Sequence, residues 1–260
     1  MDELTDKLSE YAGRYALCVR SLGRGRESLG ADKSADQLFQ AASVIKVGIM
    51  AALLDDVSHG RLSLSQQVPV ASEDMVGGAG VLFEMESRSY SLAELCRLMM
   101  VVSDNTASNA CLRQVGMDRL NEFFKRRGYE ARVQRYFMSP VVEGRDNVMT
   151  AESAAFMLDD LYSGKGLGEE LRDFAVGCLR RQQFREKIPL MLPPEVTVGH
   201  KTGELEGVRH DAAVVEAQTP YIIVIFTADG EAPWLVDSAM AACSLEVFHH
   251  HPNLLRGVSR

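Results

Sequence analysis

Ser43 and Lys46 stand three residues apart in Ser43-Val44-Ile45-Lys46, at the head of an apolar run that continues through Val47, Ile49, Met50, Ala51, Ala52, Leu53 and Leu54. On a helix this spacing puts both side chains on one face, with Cβ atoms roughly 5 to 6 Å apart. The amine is therefore expected within hydrogen-bond reach of the hydroxyl. The run itself reads as a buried helix with one charge in its wall. Burial disfavours the ammonium form, and a neutral amine beside a hydroxyl is the arrangement of a serine nucleophile with a lysine base.

Two further short motifs follow in order. Ser103-Asp104-Asn105 lies between a helix and the next helical run, and Lys201-Thr202-Gly203 comes at the end of an expected strand. Taken singly, each has an ordinary reading. A serine and a lysine three apart arise by chance on the order of once in a chain of this size, and a helix lysine usually reaches for solvent. Ser103-Asp104-Asn105 alone is a helix cap, and the last motif alone is a strand-end turn. Together and in this order they match the series found in class A β-lactamases and penicillin-binding proteins. From about Tyr15 to the C-terminus the chain resembles the class A β-lactamase family and its penicillin-interacting serine-hydrolase relatives.

The resemblance implies a role for each motif residue. Ser43 is the nucleophile that forms an acyl-enzyme, and Lys46 is the amine that helps deprotonate it. Ser103 passes a proton to the leaving nitrogen, and Asn105 holds the substrate's amide side chain. Lys201 and Thr202 bind the substrate carboxylate, while Gly203 lets the strand backbone approach closely. Lys201 beside Lys46 lowers the latter's pKa further by like-charge repulsion. The backbone N–H groups of Ser43 and Glu204 form the oxyanion hole, worth about 3 kcal/mol per donor in comparable enzymes. The Glu204 side chain is expected to turn outward, with Arg209, and after it His210, as an extra cationic contact. No metal or organic cofactor is implied; the partner is a small molecule, a β-lactam or a related acyl or peptidyl compound.

One part of the pattern is missing. In class A β-lactamases a loop after the second motif supplies a glutamate that activates the deacylating water. The corresponding stretch runs from Val133 to Asn147, and Arg145-Asp146 resembles its closing Arg-Asp pair, yet no carboxylate stands between Arg132 and Val142. Glu130 and Glu143 flank the gap, and Glu143 is read as a solvated loop carboxylate rather than a displaced base. The expectation is a class A β-lactamase-like serine hydrolase that acylates through Ser43 on β-lactams or related amides, with hydrolysis of the acyl-enzyme stalling if no other base replaces the loop glutamate. The alternative is an intracellular peptidase, amidase or esterase of penicillin-binding-protein type; a third reading is a sensor acylated once without turnover.

Positioning these residues requires elements from both ends of the chain. Helical character is expected at 2–12, then strands at Tyr15–Leu22 and Glu27–Leu29 around Gly23-Arg24-Gly25. Further strands are expected at Val196–Val198, Ala212–Glu216 and Tyr221–Thr227. Between them come a helix ending at His59-Gly60, one capped by Ser91 and Glu94, Met117–Arg127 stopped by Gly128, one from Thr150 through Tyr162 to Gly164, and Glu169–Gln182; Trp234–His250 closes the chain. Val76-Gly77-Gly78-Ala79-Gly80 reads as a turn-rich connection. The fold class is α+β, an α/β sandwich plus a helical lobe, with one antiparallel sheet built from both termini. It makes a single catalytic domain over 1–260, with a sheet lobe from 1–40 and 190–260 and a helical lobe from 41–189.

Composition narrows the setting. With 28 basic against 36 acidic residues, a formal charge of −8, there is no electrostatic footprint for nucleic acid or an anionic membrane, and a monomer is expected. Five scattered cysteines without a CxxC pair favour free thiols in a reducing compartment; Cys96 and Cys111 fall on apolar helical faces. The charged N-terminus lacks the pattern of a signal peptide, which reads as cytoplasmic, or as periplasmic or secreted if a leader has been removed. The longest apolar run falls short of the ~20 residues that span a bilayer. His249-His250-His251 is read as an exposed helix end, since consecutive helical residues do not share a face.

Overall fold

The computed structural model describes residues 8–23, 32–230 and 232–257. Strand β1 (Arg14–Ser21) is followed by β2 (Leu38–Gln40), a 3-10 turn at Ala42–Val44 and helix α1 (Ile45–Ser58). A small hairpin-like pair, β3 (Gln67–Val70) and β4 (Arg88–Ser91), leads into α2 (Leu92–Val101), α3 (Asn105–Val115) and α4 (Met117–Arg127). Strands β5 (Ala131–Arg132) and β6 (Val148–Thr150) bracket a long loop, and β6 also pairs with β2. Then come α5 (Ala151–Ser163), α6 (Glu169–Arg180), β7 (Thr197–Leu205), β8 (Val208–Glu216), β9 (Tyr221–Ala228) and α7 (Pro233–Gly257).

The main sheet has the order β1-β9-β8-β7, antiparallel throughout. Its strands are apolar on both faces because both faces are covered. Leu17, Val19, Ile223 and Ile225 pack with Val236, Met240 and Val247 of α7. Their neighbours Ala16, Cys18, Ile222 and Val224 turn to the other side, into the core shared with the helices. Helix α1 runs through that core and is buried from Ile45 to Asp56. The two-ended antiparallel sheet with helices inserted is the expected α+β architecture.

Several boundaries followed from local chemistry. Ser91 and Glu94 form a reciprocal capping box on α2, Thr150 caps α5 through the Ser153 N–H, and Gly128 and Gly164 close α4 and α5 in the left-handed conformation. Strand β7 differs from expectation. It does not stop at Val198 but carries Lys201-Thr202-Gly203 within it, because pairing from Thr197↔Glu216 to Leu205↔Val208 outweighs the poor strand propensity of its glycines. Of the helix expected at 2–12, residues 8–12 are described; 8–11 are helical and Ala12 is not. The expected strand Glu27–Leu29, with Arg24 and Gly25 of its turn, lies outside the described residues.

All five cysteines are buried and free. His249 and His250 are exposed on α7, and among the described residues no group of side chains is arranged to hold a metal. No described helix is long and apolar enough to cross a membrane.

Candidate active site

A cleft of about 540 Å³ opens where the edge strand β7 meets the start of α1, the turn before α3 and the loop between β5 and β6. Ser43, Ser103, Asn105, Thr202, Gly203 and Glu204 all line it. Ser43 does not lie on α1 itself but on the 3-10 turn ahead of it. Gly203 is what lets β7 close on that turn: a Cβ there would stand 3.1 Å from the Ser43 nitrogen, Ala42 Cβ and Val44 Cγ2 alike.

Lys46 and Lys201 lie behind the lining, both fully buried and bonded to Ser103. The Lys46 amine donates to Ser103 O (2.7 Å), Ser103 Oγ (3.1 Å) and Asn105 Oδ1 (2.8 Å). Lys201 donates to the same Ser103 Oγ (3.0 Å) and to Thr202 O (2.8 Å). Burial, and then the charge of Lys201, push the Lys46 pKa well below its ordinary range against an upward pull from Asp104. Burial brings Lys201 down to about 7, against the attraction of Asp211.

The expected contact between Ser43 and Lys46 is not made: among the described residues no hydrogen bond joins them. Position on the sequence put the two side chains together, but the amine is directed at the oxygens of Ser103 and Asn105 instead. Both lone pairs of the Ser103 hydroxyl are occupied by the two lysines, so its own proton is left to point elsewhere. Ser103 and Ala42 each hold a left-handed backbone, φ 55° and 45°, a strain of about 1–3 kcal/mol at each that such sites commonly store.

Asp104 is the cap of the ordinary reading, accepting from Ala107 N (2.8 Å) at the start of α3. Its other oxygen accepts from Val81 N (2.7 Å) and Leu82 N (2.8 Å). Val76–Gly80 is thus more than a connection. It forms a wall, with Gly78 and Ala79 lining the cleft and Asp104 filling the space where a Cβ on Gly80 would be. Asn105 Nδ2 donates to Gly77 O (2.9 Å), which leaves one amide N–H for a ligand.

The loop from Val133 to Asn147 forms the opposite wall. Its closing pair is Arg135 with Asp146 (2.6 Å), not Arg145, which turns to the exposed Glu143. Sequence adjacency suggested the wrong arginine; the loop's two ends meet instead. Asn109 of α3 pins the backbone of Phe137 by two hydrogen bonds, and the Phe137 ring lies 4.5 Å from the Lys46 amine. Motif matching cannot find such a residue, since an aromatic there carries no signature.

Arg209 and His210 do not join the cleft lining. Arg209 is held by Glu204 and lies 3.7 Å from Asp237. His210 is buried beneath the sheet, its Nε2 on Gln40 O (2.8 Å), and burial lowers its pKa to about 4, so it is uncharged near neutrality. Glu204 is drawn to the buried Lys187 (2.5 Å), which also meets Glu186 (3.1 Å). These lysine and glutamate partners were missed because their pairing joins a loop, an edge strand and α7.

Comparison with known proteins agrees with this geometry. The model of the Beta-lactamase enzyme family matches residues 1–250. A β-lactamase of Rhodobacter capsulatus is 28% identical over 217 residues, 77% of this chain and 71% of that one. Among solved structures, the β-lactamase of Sphaerobacter thermophilus DSM 20745 superposes with a TM-score of 0.87 at 22% identity, covering 96% of this chain and 95% of that one. PBP-A superposes at 0.84 with 24% identity, covering 97% of each. The motif order, the two-ended sheet and the family match agree: the chain belongs to the β-lactamase enzyme family, in its class A branch.

Proposed function

We propose that this cleft carries out acyl transfer at Ser43, on β-lactams or related amides, as a serine hydrolase. Ser43 Oγ attacks the carbonyl, its proton passes to Lys46, and Ser103 hands a proton to the leaving nitrogen. Lys201, Thr202 and the spare N–H of Asn105 orient the substrate, and the N–H groups of Ser43 and Glu204 face the developing oxyanion. The observation that carries this reading is the Ser103 hydroxyl, which accepts from two buried lysines and so keeps its own proton for a third partner. Since Ser43 and Lys46 are not bonded at rest, the first transfer requires the Ser43 side chain to rotate when substrate binds.

Release is the slow half. Phe137 fills the ground beside Lys46 where a water-activating carboxylate would have to stand, and the side chain of Glu143 is 73% exposed and paired with Arg145. The same chemistry on a peptide, amide or ester is the second reading, favoured by that missing carboxylate. Five unpaired buried thiols support a reducing, cytoplasmic setting.

Incubation with a chromogenic β-lactam, following turnover and intact mass together, tests the proposal. We expect one adduct per chain on Ser43, slow turnover, and neither in Ser43→Ala. Rapid sustained turnover would refute slow release; the absence of both adduct and turnover would refute β-lactam acylation.

A further inference from the structure

We propose that Gln182 is a positioning residue for Ser103: it closes the end of α2 and so holds the turn from which a proton is delivered to the leaving group. This rests on the acyl-transfer reading above.

Ser103 has to be held from both sides. Its hydroxyl lies between two buried amines, 3.1 Å from Lys46 and 3.0 Å from Lys201, and its backbone keeps the left-handed conformation, φ 55°. A residue other than glycine persists there only when its surroundings fix it. On the following side the turn is anchored through Asp104, bonded to Ala107 N, Val81 N and Leu82 N, and through the Asn105 N–H on Ala79 O (3.1 Å). On the preceding side stands the C-terminus of α2, and the last carbonyls of a helix have no partner inside it. Two of them are met from another element. Gln182 Nε2 donates to Met100 O (2.7 Å), and the Gln183 N–H donates to Val101 O (3.0 Å).

The path of the chain makes this contact possible. The sequence predicts helix through Gln182, but α6 ends at Arg180, and the Gln182 amide turns in against α2 with only 2% of the residue exposed. Its Oε1 accepts from Phe184 N (3.1 Å), which leaves Nε2 to face Met100. The same segment then reaches β7. Phe184 and Glu186 line the cleft, Lys187 is held by Glu204 (2.5 Å), and Ile188 N donates to Asp211 Oδ2 (3.2 Å), a residue opposite Thr202 in the sheet register. Residues 182–188 thus strap the Ser103 turn to the strand that carries Lys201 and Glu204. Loss of the Gln182 bond frees the preceding side of the turn, and a displacement of about 1 Å at a reacting group can cost on the order of 10²-fold in rate.

Leaving-group dependence separates this role from a merely structural one. Two phenylacetyl esters serve as probes: the 4-nitrophenyl ester, whose phenolate departs unprotonated, and the 4-methylphenyl ester, whose phenolate is as basic as that of tyrosine, pKa about 10. With both, the Ser43 Oγ–acyl bond forms, the acyl–oxygen bond breaks, and the Ser43 proton passes to Lys46. With the 4-methylphenyl ester Ser103 also gives its proton to the leaving oxygen and recovers one from Lys46. With protein in excess, loss of ester reads acylation whether or not release follows, and the rate with Ser43→Ala is subtracted. Gln182→Ala should slow the 4-methylphenyl ester about tenfold and the 4-nitrophenyl ester less than about twofold, and Ser103→Ala should show the same pattern at about a hundredfold. The ratio of the two rates does not depend on the fraction folded. Gln182→Met, which keeps the volume without the bonds, should match Gln182→Ala. Equal losses on both esters, no loss on either, a ratio restored by Gln182→Met or a ratio that Ser103→Ala leaves alone overturns the proposal. Should the native protein accept only a β-lactam, Gln182→Met must slow adduct formation on Ser43 and enlarge its solvent deuterium isotope effect; failure of either overturns the proposal as well. Should the native protein show no Ser43-dependent reaction with any of these, the acyl-transfer reading falls and this inference with it. That outcome is distinct from a Ser43-dependent reaction indifferent to Gln182.

Discussion

The two ends of α1 bury charge in opposite ways. At its start, Lys46 is fully buried among a carbonyl, a hydroxyl and an amide oxygen, and the charge acting on it most strongly is another cation, Lys201. At its end, Asp55 and Asp56 are almost as deeply buried, but Arg61, Arg119, Arg126 and Arg127 converge on them at 2.6–3.4 Å. One helix thus holds a charge that Asp104 only partly offsets and a pair compensated more than once. The matched acids tie α1 to α4. The unmatched amine stores reactivity, since a buried charge without a counterion gives up its charge.

Substitutions at each end should separate these roles. The largest effect expected is on chemistry: Lys46→Met lowers the acylation rate by about 10³-fold, read from adduct formation by mass, while the melting temperature stays at or above that of the native chain. Next, Asp55→Ala should cost about 2–4 kcal/mol in denaturant unfolding, less than a fully enclosed pair because Arg61 and Arg126 reach solvent. Acylation by the folded protein should be retained, and a loss of acylation equal to that of Lys46→Met would erase the contrast.

A third test gives the lysine what the aspartates have. Phe137→Glu places a carboxylate near Lys46 and should move the rising limb of the acylation pH profile up by roughly one unit, because a neighbouring anion favours the ammonium. The smallest effect concerns stability against pH. Lys46 and Lys201 have native pKa values below their unfolded values, so the unfolded chain holds more protons and stability increases as pH rises. For Lys201 this gain runs from about pH 7 toward 10.5. Lys201→Met should flatten it, as followed by melting temperature; an unchanged slope would count against a depressed pKa.

How much of this was legible depended on distance along the chain. Caps and stops were read correctly because Ser91 with Glu94, or Gly128 after Arg127, act within one turn. The three motifs were legible because family resemblance is carried by fixed short spacings. The Ser43 to Lys46 contact was misread for the same reason: local spacing sets which groups are near, but Ser103 and Asn105, arriving from another element, decide where the amine points. Arg135 with Asp146 and Lys187 with Glu204 are long-range choices among several equivalent charges, and only the folded chain selects between them. Phe137 was invisible because what matters is the volume it occupies.

The place of β1 in the sheet bears on how the protein is made. Among the described strands its neighbour there is β9, with Ser21 opposite Tyr221 and Arg14 opposite Ala228. During synthesis the first strand emerges early and must wait for nearly the whole chain before it finds its partner. Pairing so remote in sequence folds slowly, and until then the apolar face of β1 is open to wrong partners. The nucleophile shares that wait, because β7, which closes on the Ser43 turn, also emerges late. Because Thr202, Gly203 and Glu204 supply one wall, the cleft cannot be complete until β7 has been synthesised.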